Sequence, residues 1–298
     1  MELLLTALSA GTHVLLEGPP GTAKTLLAWC LAHSVGLDFK RAQMTPDVMP
    51  SDLLGTNVWL PNEARFELRP GPLFTGVLLA DELNRAPPKT QAALLEAMQE
   101  RHITIDGQTR PLDACFWVVA TQNPLEQEGT YPLPESQLDR FGMKIRVGYP
   151  ESDAEEAMLR RHRDHGDAMQ ATAEAPPPVI DRAALVELRR RVEAVHVDDT
   201  VLRYIRSLVA ATRTQPELAW GAGPRAAISL LRCSRALATI RDRRYVIPDD
   251  VQQLAPSVIA HRVRLAPEAQ VAGLTLDTVL ERVTRSVVVP AQRSASPT

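Results

Sequence analysis

The segment Gly18-Pro19-Pro20-Gly21-Thr22-Ala23-Lys24-Thr25 sets two glycines and two prolines ahead of a lysine and a hydroxyl. The short apolar run His13–Glu17 leads into it, and a helical pattern over Lys24–Ser34, closed by Gly36, leads out. A loop in that setting turns backbone N–H groups and the positive end of a helix dipole toward an anion. Lys24 would meet the β- and γ-phosphates of a nucleoside triphosphate, and the Thr25 hydroxyl would join the shell of a Mg²⁺ ion. The contact surface runs from Gly18 through Pro19, Pro20, Gly21, Thr22, Ala23, Lys24 and Thr25 to Leu26. Ala23 stands where the strict G-x-x-x-x-G-K-[ST] pattern has glycine. That exchange is tolerable if residue 23 has helical φ, because only a positive φ penalises the Cβ.

The next apolar run, Gly76–Ala80, delivers two adjacent acids at its C-terminal end: Asp81, which lies 57 residues beyond Lys24, and Glu82. Ligands of open α/β sheets bind beyond those strand ends, so the acids would face the loop. Asp81 would share the Mg²⁺ shell with Thr25, and Glu82 would accept a proton from an attacking water. A third run, Trp117-Val118-Val119-Ala120-Thr121-Gln122, ends at Asn123, whose amide could bond a γ-phosphate and orient that water. Taken singly, each segment also reads as a plain turn. Together they read as a triphosphate site.

The elements around these segments must place them at one edge. Residues 1–150 alternate short apolar strands (His13–Glu17, Gly76–Ala80, Phe116–Ala120) with helices at Lys24–Ser34 and Pro87–Glu100. That alternation predicts an α/β core with a mainly parallel sheet, its strands buried on both faces. Alternation into Asp106-Gly107 predicts a β-hairpin over 101–109. A charged helix over Ser152–His162 and the Pro176-Pro177-Pro178 connector make 151–178 a link. Helical patterns at Arg182–Val195, Asp199–Thr212, Pro224–Ile240 and Pro248–His261, with Asp181, Asp198 and Pro248 as starts, predict a small helical domain over 179–298.

Three segments together resemble the MoxR family of AAA+ ATPases: the loop Gly18–Thr25, the run Asp81-Glu82-Leu83-Asn84-Arg85-Ala86-Pro87-Pro88-Lys89-Thr90-Gln91 and on through Glu100, and Ala120–Glu135. The resemblance covers nearly the whole chain, and that family commonly has Ala before the loop lysine. It implies a P-loop NTPase core followed by an all-helical lid. By it Lys24 and Thr25 are the Walker A pair, Asp81 and Glu82 the Walker B pair, and Asn123 the first sensor. Arg140, in Leu138-Asp139-Arg140-Phe141, matches the arginine finger that acts on a neighbouring subunit's nucleotide. Arg225, in Gly221-Ala222-Gly223-Pro224-Arg225, matches the second sensor. Fixed positive charge of this kind suits phosphoryl transfer. Pro46–Phe74 resembles the helix-two insertion of the clade, and Ile103–Gly107 the insertion before the first sensor. With 17 residues ahead of Gly18, fewer than relatives have, the adenine pocket is less defined than the phosphate site.

The resemblance implies ATP and Mg²⁺ as cofactors, hydrolysis to ADP and phosphate, and a homo-oligomeric ring, a hexamer. It also implies chaperone-like remodelling of protein clients alongside proteins with von Willebrand factor A domains. A metal-chelatase-like cofactor-assembly motor is the alternative. A nucleic-acid motor is less favoured, because residues 1–180 hold 15 Lys and Arg against 24 Asp and Glu. The excess of base lies in 181–298, with 18 against 12, and aromatic residues for stacking on bases are only 4% of the chain. A switch that barely hydrolyses is disfavoured by the joint presence of Glu82, Asn123 and Arg140. Arg85 and Lys89 read as solvated or structural. Cys30, Cys115 and Cys233 lack metal-ligand spacing, which excludes a zinc site and fits a reducing compartment. No apolar run approaches a membrane span, Glu2 stands where a secretory leader would carry positive charge, and a cytoplasmic location is expected.

Overall fold

The computed structural model describes residues 1–124, 129–165 and 175–290. Leu125–Glu128 of the third motif and most of the 166–178 connector lie outside the described residues. Two compact units emerge, one of residues 1–15, 133–145 and 185–298, the other of 16–132 and 146–184.

In chain order the first elements are helix α1 (Glu2–Ser9), strand β1 (Val14–Glu17), helix α2 (Lys24–Ser34) and strand β2 (Phe39–Gln43). A short helix α3 (Pro50–Leu54) and the strands β3 (Gly55–Leu60) and β4 (Arg65–Pro70) follow, then β5 (Val77–Asp81) and helix α4 (Pro88–Glu100). Next come β6 (His102–Ile105), β7 (Gln108–Pro111), β8 (Trp117–Gln122), the single turn α5 (Glu135–Leu138) and β9 (Met143–Arg146).

The main sheet has the order β2-β5-β8-β1-β9, with β2, β5 and β8 paired in parallel. Every residue of β5 is buried, as are Trp117–Thr121 of β8. Continuous apolar runs are what a parallel sheet covered on both faces requires. Such a sheet carries the C-terminal ends of β1, β5 and β8 to one edge, where the loop, the two acids and Asn123 begin. Two strands of this sheet escaped the sequence reading. β2 carries Lys40, Arg41 and Gln43 on an edge, and β9 alternates buried Met143 and Ile145 with Lys144 and Arg146. The segment 46–74 forms α3 and the antiparallel β3–β4 hairpin, whose cross-strand Trp59 and Phe66 rings lie 5.0 Å apart on its exposed face. The β6–β7 hairpin forms where Asp106-Gly107 turns.

Helices dominate the second half: α6 (Ser152–His165), α7 (Arg182–Glu193), α8 (Asp199–Thr214), α9 (Pro224–Ile240), α10 (Pro248–Ile259), α11 (Pro267–Val271) and α12 (Leu276–Ser286). Asp198 caps α8 by accepting from the Thr200 N–H at 2.7 Å, and Asp181 accepts from the Ala184 N–H at 2.8 Å. The buried stripe of α8, Val201, Tyr204, Ile205, Leu208 and Val209, packs toward Leu230, Cys233 and Leu237 of α9. Truncating a residue such as Leu208 to Ala should cost about 2–5 kcal/mol. Burial pushes the Cys233 thiol up to about 11, so it serves as packing. The amphipathic α1 had no place in the sequence reading. Leu4, Ala7 and Leu8 bury against α9, and Glu2 takes both arms of the Arg241 fork at 3.0 and 3.2 Å. A two-stranded ribbon, β10 (Leu218–Trp220) with β11 (Arg264–Leu265), ties this helical region together.

Candidate nucleotide site

The loop between β1 and α2 is drawn to the sheet edge by the Gly18 N–H, which donates to the Gln122 carbonyl at 3.2 Å. A Cβ on Gly18 would sit 2.2 Å from the Val147 carbonyl oxygen, so no other residue fits there. Ala23 overturns one expectation. It sits at φ +56°, ψ +25°, in the left-handed region rather than with helical φ. The chain must turn sharply here to aim the first N–H groups of α2 into the loop, and alanine carries that strain.

Lys24 folds its ammonium back over the loop. Nζ donates to the carbonyls of Gly18 at 2.9 Å and Pro19 at 2.5 Å, and lies 3.2 Å from Thr22 Oγ1. Partial burial pulls its pKa below the usual lysine value, opposed by the negative charge of Asp81 and Glu82. The loop thus holds a cation on carbonyls that a phosphate could replace. Thr25 Oγ1 donates to Asp81 Oδ2 at 3.3 Å, bringing the two motifs together.

Thr121, on β8, organises both acids. Its hydroxyl donates to Asp81 Oδ1 at 2.6 Å and accepts the Glu82 N–H at 2.8 Å. That second bond supports Glu82 in a left-handed conformation, φ +58°, which turns its side chain off the strand line. Glu82 Oε2 accepts from Gln43 Nε2 at 2.9 Å and from Arg85 Nη1 at 3.0 Å. Asp81 Oδ2 accepts from Arg41 Nη2 at 2.7 Å and Nε at 3.0 Å. Arg41 and Gln43 project from β2 on one face, two residues apart, and Arg41 Nη2 also donates to Gln43 Oε1 at 2.7 Å. Sequence reasoning missed Thr121, Arg41 and Gln43. The available signal was Thr121 beside the strand tip and a polar i, i+2 pair, but β2 itself went unread. Arg85, read as structural, is an ion-pair partner of Glu82.

Asn123 is buried just past the end of β8. Arg140 and Arg225 belong to the other compact unit. Arg140 follows α5, and its Nε is buried without a partner among the described residues. Arg225 opens α9, and its Nη1 lies 3.5 Å from Asp139 Oδ2. Thr25, Asp81 and Glu82 are therefore linked through Thr121, with Lys24 folded on the loop and Asn123 just past the end of β8, while Arg225 pairs with Asp139, the residue before Arg140.

Two oxygens, Thr25 Oγ1 and Asp81 Oδ2, suit a hard divalent cation. Among the described residues no cluster of three or more His, Cys, Asp or Glu could hold a metal by itself. That donor set fits Mg²⁺, which keeps waters and phosphates in its shell.

An α/β core with a loop of this form, an Asp-Glu strand end and a helical lid defines an AAA+ ATPase. Residues 13–143 match the ATPase family associated with various cellular activities (AAA), and residues 210–283 match the AAA lid domain. The chain is 40% identical to Chaperone MoxR1 of Mycobacterium tuberculosis over 97% of this chain and 78% of that one. It is 46% identical to the uncharacterized protein YeaC of Bacillus subtilis, over 98% and 90%. A crystal structure from Cytophaga hutchinsonii, of a protein assigned as an ATPase, superposes with a TM-score of 0.87 at 40% identity, covering 97% of this chain and 89% of that one. The chain belongs to the MoxR family of AAA+ ATPases, and it binds and hydrolyses ATP. More distant similarity reaches the magnesium-chelatase 38 kDa subunit of Rhodobacter capsulatus, at 29% identity over 64% of this chain, and the branch-migration subunit RuvB. Among the described residues no helix is long and apolar enough to cross a membrane.

Proposed function

We propose that this chain is a Mg²⁺-dependent, ring-forming ATPase that remodels protein clients in the cytoplasm. The observation that carries the chemistry is the bonded series Thr25–Asp81–Thr121–Glu82, which ties the loop to both acids. In this reading the residues from Gly18 to Leu26 wrap the phosphates, and Lys24 leaves its loop carbonyls for the β- and γ-phosphates. Glu82 takes a proton from the water that attacks the γ-phosphorus as the bond to the β,γ-bridging oxygen breaks, releasing ADP and phosphate. Asn123 orients that water. Mg²⁺, held by Thr25 and Asp81, would neutralise charge on the β- and γ-oxygens. Arg140 acts on a neighbouring subunit's nucleotide, which requires head-to-tail contacts that close into a ring, a hexamer. Arg225 reports the γ-phosphate to the lid.

The chaperone name of the Mycobacterium relative supports protein clients, and the family resemblance supports a partner with a von Willebrand factor A domain. A chelatase-like motor is the second reading, favoured by the similarity to the magnesium-chelatase subunit. The test of the chemistry compares wild type, Lys24→Ala and Glu82→Gln in Mg²⁺-dependent turnover and fluorescent-nucleotide binding. Lys24→Ala should weaken binding. Glu82→Gln should bind normally and lose turnover by about a hundredfold or more. Equal turnover in wild type and Glu82→Gln removes Glu82 as the base. Clients retained by Glu82→Gln in the presence of ATP then separate a protein remodeller from a metal-inserting motor.

A further inference from the structure

Arg262 follows α10, and only 2% of its side chain is exposed. A guanidinium buried this deeply is sustained only by pairing and by hydrogen bonds to all its N–H groups. Its Nε donates to Asp139 Oδ1 at 2.8 Å. Nη1 donates to the carbonyls of Val258 at 2.6 Å and Gly142 at 3.3 Å. Nη2 reaches the carbonyls of Phe141 at 2.7 Å and Asp139 at 3.2 Å, and Ser229 Oγ at 3.2 Å. The neighbouring His261 donates from Nε2 to the same Phe141 carbonyl at 3.0 Å.

Four of the six acceptors thus come from residues 139, 141 and 142, on both sides of Arg140. Arg140 itself is left out of the clamp, with its Nε buried and unpartnered among the described residues. The second oxygen of Asp139 faces Arg225 at 3.5 Å. One carboxylate therefore stands between a buried structural arginine and a half-exposed arginine at the start of α9.

We propose that Arg262 and Asp139 are positioning residues that present Arg140 and Arg225 together: Arg262 locks the backbone flanking Arg140, and Asp139 holds Arg225 beside it. A planar fork with five donors is needed, since lysine offers three donors from one point and cannot span carbonyls on both sides of residue 140. Asp139 also offsets the repulsion between the guanidiniums of Arg262 and Arg225, which it pairs with on either side. The lock makes phosphate-facing charge available without reorganisation at the moment of reaction, which is what such charge requires to be effective. The inference rests on reading Arg140 and Arg225 as phosphate-facing groups.

The test uses the full chain carrying Arg262→Lys, Asp139→Asn or Arg140→Ala, each checked for cooperative unfolding. Arg262→Lys should lower kcat about tenfold or more while the dissociation constant for a fluorescent ATP analogue and KM stay within about threefold. Mixed with Lys24→Ala, which keeps Arg262 and Arg140 intact, it should regain partial activity, as Arg140→Ala should in the same mixture. A variant that merely loosened the fold would lose nucleotide affinity along with kcat, and that result overturns the proposal. Should Arg262→Lys not fold, Asp139→Asn decides. Its amide oxygen still accepts from Arg262, but it no longer holds Arg225 by charge, so kcat should fall with affinity retained. If Arg140→Ala is inactive while Arg262→Lys and Asp139→Asn turn over at the wild-type rate, positioning is refuted and the finger reading stands. If Arg140→Ala is itself fully active, the finger reading fails, and this inference with it.

Discussion

Arg41 and Thr25 converge on one oxygen of Asp81. Arg41 Nη2 lies 2.7 Å from Oδ2 and Thr25 Oγ1 lies 3.3 Å from the same atom. A cation bound between Thr25 and Asp81 would have to share that oxygen with a guanidinium or displace it. Arg41 is half-exposed while Asp81 is nearly buried, so the pair is worth about 0.2–1 kcal/mol by comparison with exposed ion pairs. Arg41→Ala should therefore lower the Mg²⁺ concentration for half-maximal nucleotide binding by about 1.4- to fivefold. Titrating Mg²⁺ against a fluorescent ATP analogue measures this, and an unchanged midpoint would show that Arg41 does not compete with the metal.

Ala23 stores strain that glycine would not. The left-handed conformation costs an L-residue roughly 1–2 kcal/mol, offset in part by the greater unfolded-state freedom of glycine. Ala23→Gly should raise the unfolding free energy by about 0.5–1 kcal/mol without weakening nucleotide binding. Urea unfolding of the nucleotide-free protein gives the comparison. Destabilisation by glycine would mean that residue 23 does not rest at positive φ.

Arg225 should respond to the third phosphate. With a non-hydrolysable ATP analogue its guanidinium would exchange the 3.5 Å contact with Asp139 for phosphate. Amide hydrogen exchange over 221–227 should then slow relative to the ADP-bound protein. Equal exchange with both nucleotides would leave Arg225 as a surface arginine paired with Asp139.

His261 should make stability pH-dependent. Burial holds its pKa well below 6.5, and the positive charges of Arg262 and Lys144 push the same way. Below about pH 6.5 the unfolded chain takes up a proton that the folded chain refuses, so the unfolded state binds more protons and stability falls as pH drops. The loss from this one group should approach about 1.4 kcal/mol per unit between about pH 6 and pH 5. His261→Gln, which keeps a donor for the Phe141 carbonyl, should flatten that part of the profile. The urea midpoint against pH reads both proteins.

The contiguous motifs were legible in the sequence because their chemistry is local. Gly18–Thr25 carries its own turn residues, lysine and hydroxyl, and Asp81-Glu82 arrives at the end of an apolar run that can only be a covered strand. Asp181 and Asp198 announced helix starts for the same reason, since a cap acts within three residues. Elements whose identity depends on what lies beside them were not legible. β2 is a strand because it completes the edge next to β5, against its own charged residues, and α1 is a helix docked on α9. The sign of φ at Ala23 followed from the path the loop takes between β1 and α2, which no residue type dictates. Arg41, Thr121 and Arg262 find their partners 40, 40 and 123 residues away. Sequence determined which groups are candidates for binding and cleaving a triphosphate, because covalent order keeps those groups in short runs. Tertiary structure alone decided what holds each charge in place, because hydrogen bonds and ion pairs reach only a few ångströms and packing chooses which distant residues come that near.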